Sequence, residues 1–290
     1  MSGRKHAFLL FTKAPTPGVT KTRLTMARGG IFSPNEAAEF YRVSLLDVAE
    51  MAFSALDELN GTAVASANGG KPDQYDFVVS CSPEADVPKL EALFTANGPW
   101  PAPIQFICDR GRTFDEHFDD AFRQLFARGY HSVVSIGGDL PTMPVNHIVQ
   151  AFQWLEFYDS YSETGGFVQA PCQECGVSLV GYTSRTPMDS TGVFYNLDGV
   201  PALDAYINKA AERNVPVANL MPVADVDDTR DLAHTLSLLK AAAYSLNCQP
   251  GVFLARRTWD WLNRMGVSAN TPPNAEHDPR EGIDADIADA

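Results

Sequence analysis

Short apolar runs alternate along this chain with amphipathic segments of helical length, and no other feature limits the possible folds as strongly. Seven runs are short and apolar enough to be buried strands: residues 7–12, 77–81, 104–108, 132–136, 166–170, 178–181 and 215–220. Strands separated by helices form βα units, in which the strands lie mainly parallel and helices cover both faces of the sheet. We therefore predict an α/β fold with a mainly parallel central sheet.

Two helices are marked by capping residues as well as by periodicity. One covers about residues 34–56 and begins with a capping box of Ser33 and Glu36. The other begins at Thr113 and stops at Gly129. Apolar residues at helical spacing predict the core faces. They are Tyr41, Leu45, Val48, Ala52 and Leu56 in the first helix, and Phe114, Phe118, Ala121, Phe122, Leu125 and Phe126 in the second.

No internal repeat and no change of composition divides the chain before about residue 247. We expect one domain over residues 1–247, a helical appendage over residues 248–268 and an acidic, disordered tail over residues 269–290. The appendage contains Trp259 and Trp261, which we expect to pack against the domain edge; the alternative is a partner surface.

Charge and cysteine usage exclude several classes of protein. The chain has 22 Lys and Arg against 36 Asp and Glu, a formal net charge of −14, so we expect no nucleic-acid partner. The apolar run at residues 7–11 is too short for a membrane span or a signal peptide, and we expect no membrane partner. Five scattered cysteines indicate a reducing compartment, and so a cytoplasmic location. The sequence does not predict the oligomeric state.

Residues 1–35 contrast with this acidic background, because they contain six basic residues and no acidic one. Lys13, Lys21 and Arg23 lie in one loop after the first predicted strand, together with Gly18, two prolines and several threonines. Cations, hydroxyls and backbone N–H groups at the end of a parallel strand are suited to bind a polyphosphate. The loop lacks the glycine spacing of a Walker A motif. It is either an anion-binding loop or an ordinary surface loop.

Three aspartates are candidate metal ligands. Asp139 follows two glycines at the end of a predicted buried strand, where a carboxylate faces the ligand crevice of an open α/β sheet and suits Mg²⁺. Asp225 and Asp227 project to the same face of an extended segment, so both are able to approach one cation. The alternatives are a turn former for Asp139 and a solvated acidic loop for the other two.

Two further pairs of polar residues have structural explanations. Asp228 and Asp231 have the spacing of a helix N-cap and its N3 partner. Cys172 and Cys175 form a single Cys-x-x-Cys with no second pair and no nearby histidine, so we expect neither a metal site nor redox activity there. No Ser-His-Asp or Gly-x-Ser-x-Gly arrangement is present, and hydrolase chemistry has no visible nucleophile.

Three segments together resemble one protein family: residues 11–24, 136–141 and 225–232. They are similar to the bacterial glycosyltransferase-like group named radical-SAM/selenodomain-associated transferase 1, within the nucleotide-diphospho-sugar transferase superfamily. Relatives of this group include the guanylyltransferases for phospholactate and for the molybdenum cofactor. The resemblance extends over about residues 7–265. It implies a GT-A-like Rossmannoid sheet with Mg²⁺ or Mn²⁺ and a nucleotide at its carboxyl edge.

The resemblance also implies roles for individual residues. The implied nucleotide-binding residues are Thr12, Lys13, Gly18, Lys21, Arg23 and Gly111. The implied metal ligands are Asp139, Asp225 and Asp227, the implied catalytic residues are Lys21 and Asp139, and the implied acceptor loop contains Glu174 and Gly176. The implied activity is nucleotidyl or glycosyl transfer from a nucleotide or nucleotide-sugar to a small-molecule acceptor, with charge neutralised by the metal and basic side chains.

The chain departs from the family pattern at three places. Where Asp-Gly-Gly-Tyr-Tyr-Leu-Ile-Gly is usual, residues 174–181 keep the strand-like end and change the polar loop. His117 stands where arginine is common, and Gly138 where serine is common. The alternative function is therefore a non-catalytic nucleotide-binding or partner-binding protein on the same fold.

We expect Lys21→Ala or Arg23→Ala to weaken nucleotide binding and to leave the fold unaffected.

Overall fold

The computed structural model describes residues 3–62 and 71–270. The strands are β1 Lys5–Thr12, β2 Gln74–Cys81, β3 Ile104–Ile107, β4 Ser132–Ile136, β5 Phe167–Pro171, β6 Val177–Thr183 and β7 Val217–Asn219. The helices are α1 Pro34–Thr62, α2 Val87–Ala96, α3 Phe114–Ala127, α4 Val145–Tyr161, α5 Ala202–Glu212, α6 Thr229–Ser245 and α7 Arg256–Arg264. Each predicted strand is confirmed, with bounds that differ by a few residues.

The described strands form one sheet in the order β3-β2-β1-β4-β6-β5-β7. β6 runs antiparallel to both of its neighbours, whereas the remaining pairings are parallel. The predicted mainly parallel sheet is therefore confirmed. The chain leaves β1 toward β2 on one side and reaches β4 on the other, so the strand order reverses between β1 and β4. Open α/β sheets bind ligands at the carboxyl ends of strands beside such a reversal.

Helices cover both faces of the sheet, as predicted. α1, α2 and α4 pack on one face against Phe8 and Val134, and α3 and α5 pack on the other face against Leu9 and Val133. Val133 and Val134 are adjacent in β4, and the alternation of side chains along a strand places them on opposite faces. Each face of the sheet thus has its own hydrophobic core.

Three helix starts confirm the predicted caps. Ser33 and Glu36 form a reciprocal box before α1, in which Glu36 Oε2 accepts from the Ser33 N–H at 2.7 Å. The Thr113 side chain accepts from the N–H of the third residue of α3. Asp228 and Asp231 form a complete capping box before α6. Each carboxylate or hydroxyl satisfies N–H groups that a helix start would otherwise leave unpaired.

The predicted core faces are buried, except that Phe126 is only partly buried and Phe114 is exposed. The α1 residues are all buried, and so are Phe118 and Phe122 of α3. Phe114 is 37% exposed, so its assignment to the core is wrong. The reason is its position in the first turn of α3, which projects past the end of the sheet into a cleft.

The C-terminal helices pack against α1 in a third apolar cluster, which contains the buried Trp261 and the partly buried Trp259. The predicted packing of the tryptophans is thus confirmed. The domain bounds at 247 and 268 stay a prediction. The predicted acidic tail lies, from residue 271 onward, outside the described residues. Among the helices of residues 3–62 and 71–270, none is long and apolar enough to cross a membrane.

Candidate functional site

A cleft of about 1080 Å³ opens at the carboxyl ends of β1 and β4. Its walls come from the loop after β1, the start of α3, the turn between β5 and β6, and the segment after β7. Nine of the eleven predicted site residues border it: Thr12, Lys13, Lys21, Arg23, Asp139, Glu174, Gly176, Asp225 and Asp227. Gly18 and Gly111 are not part of its lining. Residues far apart in sequence therefore meet because their strands end at one edge of the sheet.

Lys21 lies between two of the predicted metal ligands. Its Nζ donates to Asp139 Oδ2 at 2.7 Å and to Asp227 Oδ1 at 2.9 Å, and its side chain is only 8% exposed. Burial alone would lower the pKa of Lys21, but the two carboxylates outweigh this effect and hold its pKa above the usual value. The ammonium therefore stays charged. Lys21 also has a left-handed backbone, with φ 49°, which is unusual for a residue with a Cβ.

Asp225 borders the same cleft and has a different electrostatic environment. Burial, and then the negative charges of Asp139 and Asp227, raise the pKa of Asp225 to about 6. Burial would also raise the pKa of Asp227, but Lys21 and Arg23 hold that pKa below its usual value. Asp227 is therefore an ionised, paired carboxylate, and Asp225 is the acidic group of the site that changes its charge nearest to neutral pH.

Carboxylate oxygens are the ligands that Mg²⁺ and Mn²⁺ prefer, so the chemistry of Asp139, Asp225 and Asp227 suits either ion. The ammonium of Lys21 lies where a cation shared by Asp139 and Asp227 would lie. Within residues 3–62 and 71–270, no group of three His, Cys, Asp or Glu side chains is close enough to hold a metal ion. The metal assignment therefore stays a prediction.

The loop after β1 is braced by its own threonines. Thr20 Oγ1 donates to the carbonyl of Thr16 and accepts from the Thr16 N–H, at 3.1 and 3.2 Å. Gly18 has φ 76°, a left-handed conformation that favours glycine. Arg23 Nη1 reaches Asp227 Oδ2 at 3.2 Å, while Lys13 is exposed at the edge of the cleft. The loop is therefore held in a defined conformation in which Lys13, Lys21 and Arg23 border the cleft.

Two predicted nucleotide-binding residues already have structural roles. The Thr12 hydroxyl is buried and hydrogen-bonded to the Tyr41 hydroxyl at 2.7 Å. A Cβ at Gly111 would lie 2.6 Å from the backbone nitrogen of His117, so the start of α3 requires a glycine there. Their assignment to the nucleotide stays a prediction.

The predicted acceptor loop is a tight turn between β5 and β6. Glu174 and Cys175 both adopt left-handed backbones, with φ 56° and 59°. Gly176 closes the turn, because its carbonyl accepts from the Cys172 N–H at 3.0 Å. The side-chain amide of Gln173 pairs with the backbone N–H and carbonyl of Asp225 at 3.1 and 3.2 Å. These hydrogen bonds hold the turn against the segment that contains Asp225 and Asp227. The sequence did not predict this contact.

The sequence also did not predict a set of three side chains that are linked by hydrogen bonds. His117 Nδ1 bonds Asp109 Oδ1 at 2.7 Å, and Asp109 Oδ2 accepts from the Ser80 hydroxyl at 2.7 Å. Asp109 is 2% exposed, whereas His117 borders the cleft. The signal for Asp109 was its position directly after a predicted strand, which it shares with the segment that leads to Asp139.

Gly138 lies against two side chains of α1. A Cβ at this position would lie 2.7 Å from Leu45 Cδ1 and 2.9 Å from the Tyr41 hydroxyl. The Ser44 hydroxyl donates to the Gly138 carbonyl at 3.0 Å and holds α1 against this turn. A larger residue at this position would therefore require the ends of the Leu45 and Tyr41 side chains to shift.

Comparisons with known proteins agree with this geometry. The family model described as "uncharacterized protein conserved in bacteria" (DUF2064) matches residues 51–197. No curated protein matches the sequence. A solved structure of a candidate nucleotide-diphospho-sugar transferase from Desulfovibrio desulfuricans G20 is similar, with a TM-score of 0.65 and 22% sequence identity over 92% of this chain and 96% of that chain. This likeness confirms the predicted nucleotide-diphospho-sugar transferase fold.

A cytidylyltransferase from Leptospira borgpetersenii serovar Hardjo-bovis (strain JB197) is a more distant neighbour. Its TM-score is 0.49, with 12% identity over 94% of this chain and 100% of that chain. This score is too low to support a conclusion about the present chain.

Proposed function

The chain belongs to DUF2064, a family of proteins conserved in bacteria, and we propose that it is a transferase that binds a nucleotide or nucleotide-sugar in the cleft at the carboxyl edge of its sheet. The observation that carries this proposal is the position of the buried Lys21 ammonium. It lies at the ends of β1 and β4 beside two carboxylates, with Lys13 and Arg23 on the same loop. A cleft of about 1080 Å³ has the size of small-molecule and cofactor sites.

The proposed reaction is the attack of an acceptor oxygen on a phosphorus atom or on an anomeric carbon of the donor. Lys13, Lys21 and Arg23 bind the phosphates and neutralise the negative charge that the leaving group gains. Asp139, Asp225 and Asp227 are the residues that would hold Mg²⁺ or Mn²⁺, once Lys21 leaves Asp139 and Asp227 and the three carboxylates come closer together. The bound ion would neutralise further diphosphate charge. The acceptor enters beside Glu174 and Gly176. No covalent intermediate with the protein is required.

The finer assignment follows the sequence resemblance. We place the chain beside the radical-SAM/selenodomain-associated transferase 1 group, because the segments at residues 11–24, 136–141 and 225–232 all reach the cleft. The cysteines in the described ranges are free thiols, which supports a cytoplasmic location. The acceptor is a small molecule, with neither a nucleic acid nor a membrane as partner.

One observation favours a second candidate, a nucleotide-binding protein without turnover. Cys175 stands where the family usually has glycine, yet it keeps the left-handed backbone that glycine adopts freely. The sequence of the acceptor loop has thus changed, while Cys175 adopts a backbone conformation that glycine favours. Release of pyrophosphate or of a nucleoside diphosphate on addition of an acceptor separates the two candidates.

Calorimetric titration with CTP, GTP, ATP, UTP and UDP-glucose in the presence of Mg²⁺ tests the proposed site. We expect at least one of these donors to bind, and Lys13→Ala and Arg23→Ala to weaken it by about 1.5–3 kcal/mol each, or about ten- to a hundredfold. Arg28→Ala is the matched control, since Arg28 belongs to the same basic segment and lies outside the cleft lining. Equal affinity in all four proteins would move the phosphate site elsewhere, and no binding by the wild type would refute the proposed function.

A further inference from the structure

Part of the cleft reaches the side of the sheet covered by α3 and α5, where aromatic rings form its walls. The Phe11 ring meets Phe114 and Phe118 edge-on, with centroids 5.5 and 5.2 Å apart. Phe194 meets the same two rings at 4.8 and 5.6 Å. All four rings border the cleft. Together they form an apolar wall of the cleft beside the polar site of Lys21 and Asp139.

The sheet contributes one polar group to the same side. Ser135 of β4 pairs with Val180 of β6, and both residues border the cleft. Alternation along β4 places Ser135 on the same face as Val133, the face that packs against α3. Ser135 is 2% exposed, and its hydroxyl has no hydrogen-bond partner within the described residues. Buried hydroxyls are nearly always paired, so the unpaired hydroxyl of Ser135 is available to a bound molecule that reaches it from the cleft.

His117 supplies a second polar group at the rim. Residues 114, 117 and 118 lie on one face of α3, so the imidazole lies on the same side of the helix as the Phe114 and Phe118 rings. Asp109 holds the ring through Nδ1 at 2.7 Å. Nε2 makes no hydrogen bond in the part of the chain that the structure describes. The ring is thus oriented by the protein and has one nitrogen free for a bound molecule.

We propose that this pocket, the aromatic subsite of Phe11, Phe114, Phe118, Ser135 and Phe194, binds the acceptor, and that the bound part of the acceptor is a flat apolar group carrying a hydroxyl. The inference rests on the proposed transferase function and names its acceptor class. Ser135 Oγ and His117 Nε2 are the hydrogen-bonding atoms that face this group, and the rings cover its faces.

The polar inventory of the subsite decides against a sugar. A sugar carries several hydroxyls, and each one buried without a partner opposes binding. Asn196 borders the cleft, but its side chain is already bonded to the backbone of Val193 and Val200. Ser178, on the same face of β6 as Val180, also borders the cleft but lies beside Cys172. The subsite therefore has few polar side chains free for a ligand, which suits a phenol or an arylmethanol better than a sugar.

The test measures binding of p-cresol, toluene and glucose by ligand-observed NMR, without any nucleotide. We expect p-cresol to bind, toluene to bind more weakly and glucose not to bind. Ser135→Ala should weaken p-cresol about two- to tenfold and leave toluene unchanged, because one hydrogen bond is lost and the walls remain. Phe114→Leu should weaken both aromatic probes. Phe157→Leu is the control, since this ring is 54% exposed on α4 and outside the cleft lining.

Absence of p-cresol binding to the wild type, or equal binding by Ser135→Ala, would overturn the proposal. Addition of the nucleotides then identifies the occupant. Simultaneous binding of p-cresol and a nucleotide supports the acceptor, whereas displacement of p-cresol would assign the rings to the nucleobase and overturn it. Failure of the transferase proposal is distinct, because no nucleotide would bind while p-cresol still did.

Discussion

Side chains of opposite charge form ion pairs in the cleft, and these ion pairs contribute to the stability of the folded protein. The sequence predicted Lys21 as a phosphate ligand whose loss leaves the fold unaffected. Its burial between Asp139 and Asp227 changes this expectation, because its removal leaves two carboxylates without their cation.

We expect Lys21→Ala to lower the free energy of unfolding by about 2 kcal/mol, a value reduced from that of a fully buried pair because both carboxylates have solvent contact. Urea unfolding at neutral pH measures the change. Adding Asp227→Asn to this variant should recover part of the loss, since it removes one of the unpaired charges. Equal stability of Lys21→Ala and the wild type would contradict the role of the ion pairs.

The raised pKa of Asp225 leads us to predict that the stability of the protein depends on pH. Its pKa is about 6 in the folded protein against an ordinary value of 3.8, so the folded state binds the proton more tightly than the unfolded state. Its contribution to stability is therefore present at low pH and is lost as the pH rises through 6. We expect Asp225→Asn to be more stable than the wild type by on the order of 2 kcal/mol at about pH 7.5, and nearly equal at about pH 4.

Urea unfolding of both proteins at the two pH values measures this difference. Asp57→Asn is the control, because Asp57 is exposed on α1 and away from the cleft. A difference between Asp225→Asn and the wild type that is the same at both pH values would show that Asp225 is not the titrating group.

Cys175 predicts a stabilising substitution. A left-handed backbone costs a residue with a Cβ about 1–2 kcal/mol, and glycine largely escapes this cost. We expect Cys175→Gly to raise the free energy of unfolding by about 1 kcal/mol and Cys175→Ala, which keeps the Cβ, to change it little. Thermal unfolding of both variants measures the effect. A stabilisation shared equally by the alanine variant would point to the thiol and not to the backbone.

The strands and helices show which parts of the fold a sequence pattern encodes. Hydrophobic runs and capping residues located the strands and three helix starts, because these signals are local. The antiparallel direction of β6 was missed, although the predicted runs at 166–170 and 178–181 are separated by too few residues for a parallel crossover.

For the site too, the sequence predicted where residues lie but not the contacts between them. Lys21, Asp139 and Asp227 were assigned to one cleft because parallel strands end at a common edge. Their ion pairs depend on the left-handed backbone of Lys21, which composition does not indicate. The contact of His117 with Asp109 depends on how α3 packs beside β3, so the position of Asp109 after a predicted strand did not reveal its partner.

Asp47 of α1 holds α7 in place through hydrogen bonds. Its carboxylate is fully buried and accepts from the N–H groups of Arg257 and Thr258 at 3.2 and 2.7 Å, and from the Arg257 guanidinium at 3.1 Å. Asp47→Ala leaves these donors without an acceptor, and we expect it to lower the free energy of unfolding by about 3 kcal/mol. Glu50→Ala removes only the exposed partner of Arg257 and should change stability far less. Similar urea midpoints for the two variants would show that Asp47 does not hold the helix.

The whole molecule combines an acidic surface with one basic entrance. The formal net charge is −14, yet residues 1–35 contain no acidic side chain, and three of their cations border the cleft. These cations are available to an anionic ligand that enters the cleft. The carboxylates at the base of this entrance balance the cations, so binding of an anion there is expected to involve a further cation.

This charge balance leads to a prediction about the stability of the entire chain. A ligand that binds only the folded state raises its stability, by about 2.7 kcal/mol at a hundred times its dissociation constant. We expect Mg²⁺ and a nucleotide together to raise the melting temperature by more than the sum of their separate effects, because each neutralises charge that the other brings. Asp139→Asn should remove most of this excess and leave the weak effect of the nucleotide alone through Lys13 and Arg23. Asp57→Asn should keep the excess. An equal excess in wild type and Asp139→Asn would mean that Asp139 shapes the turn after β4 and that the cation binds elsewhere.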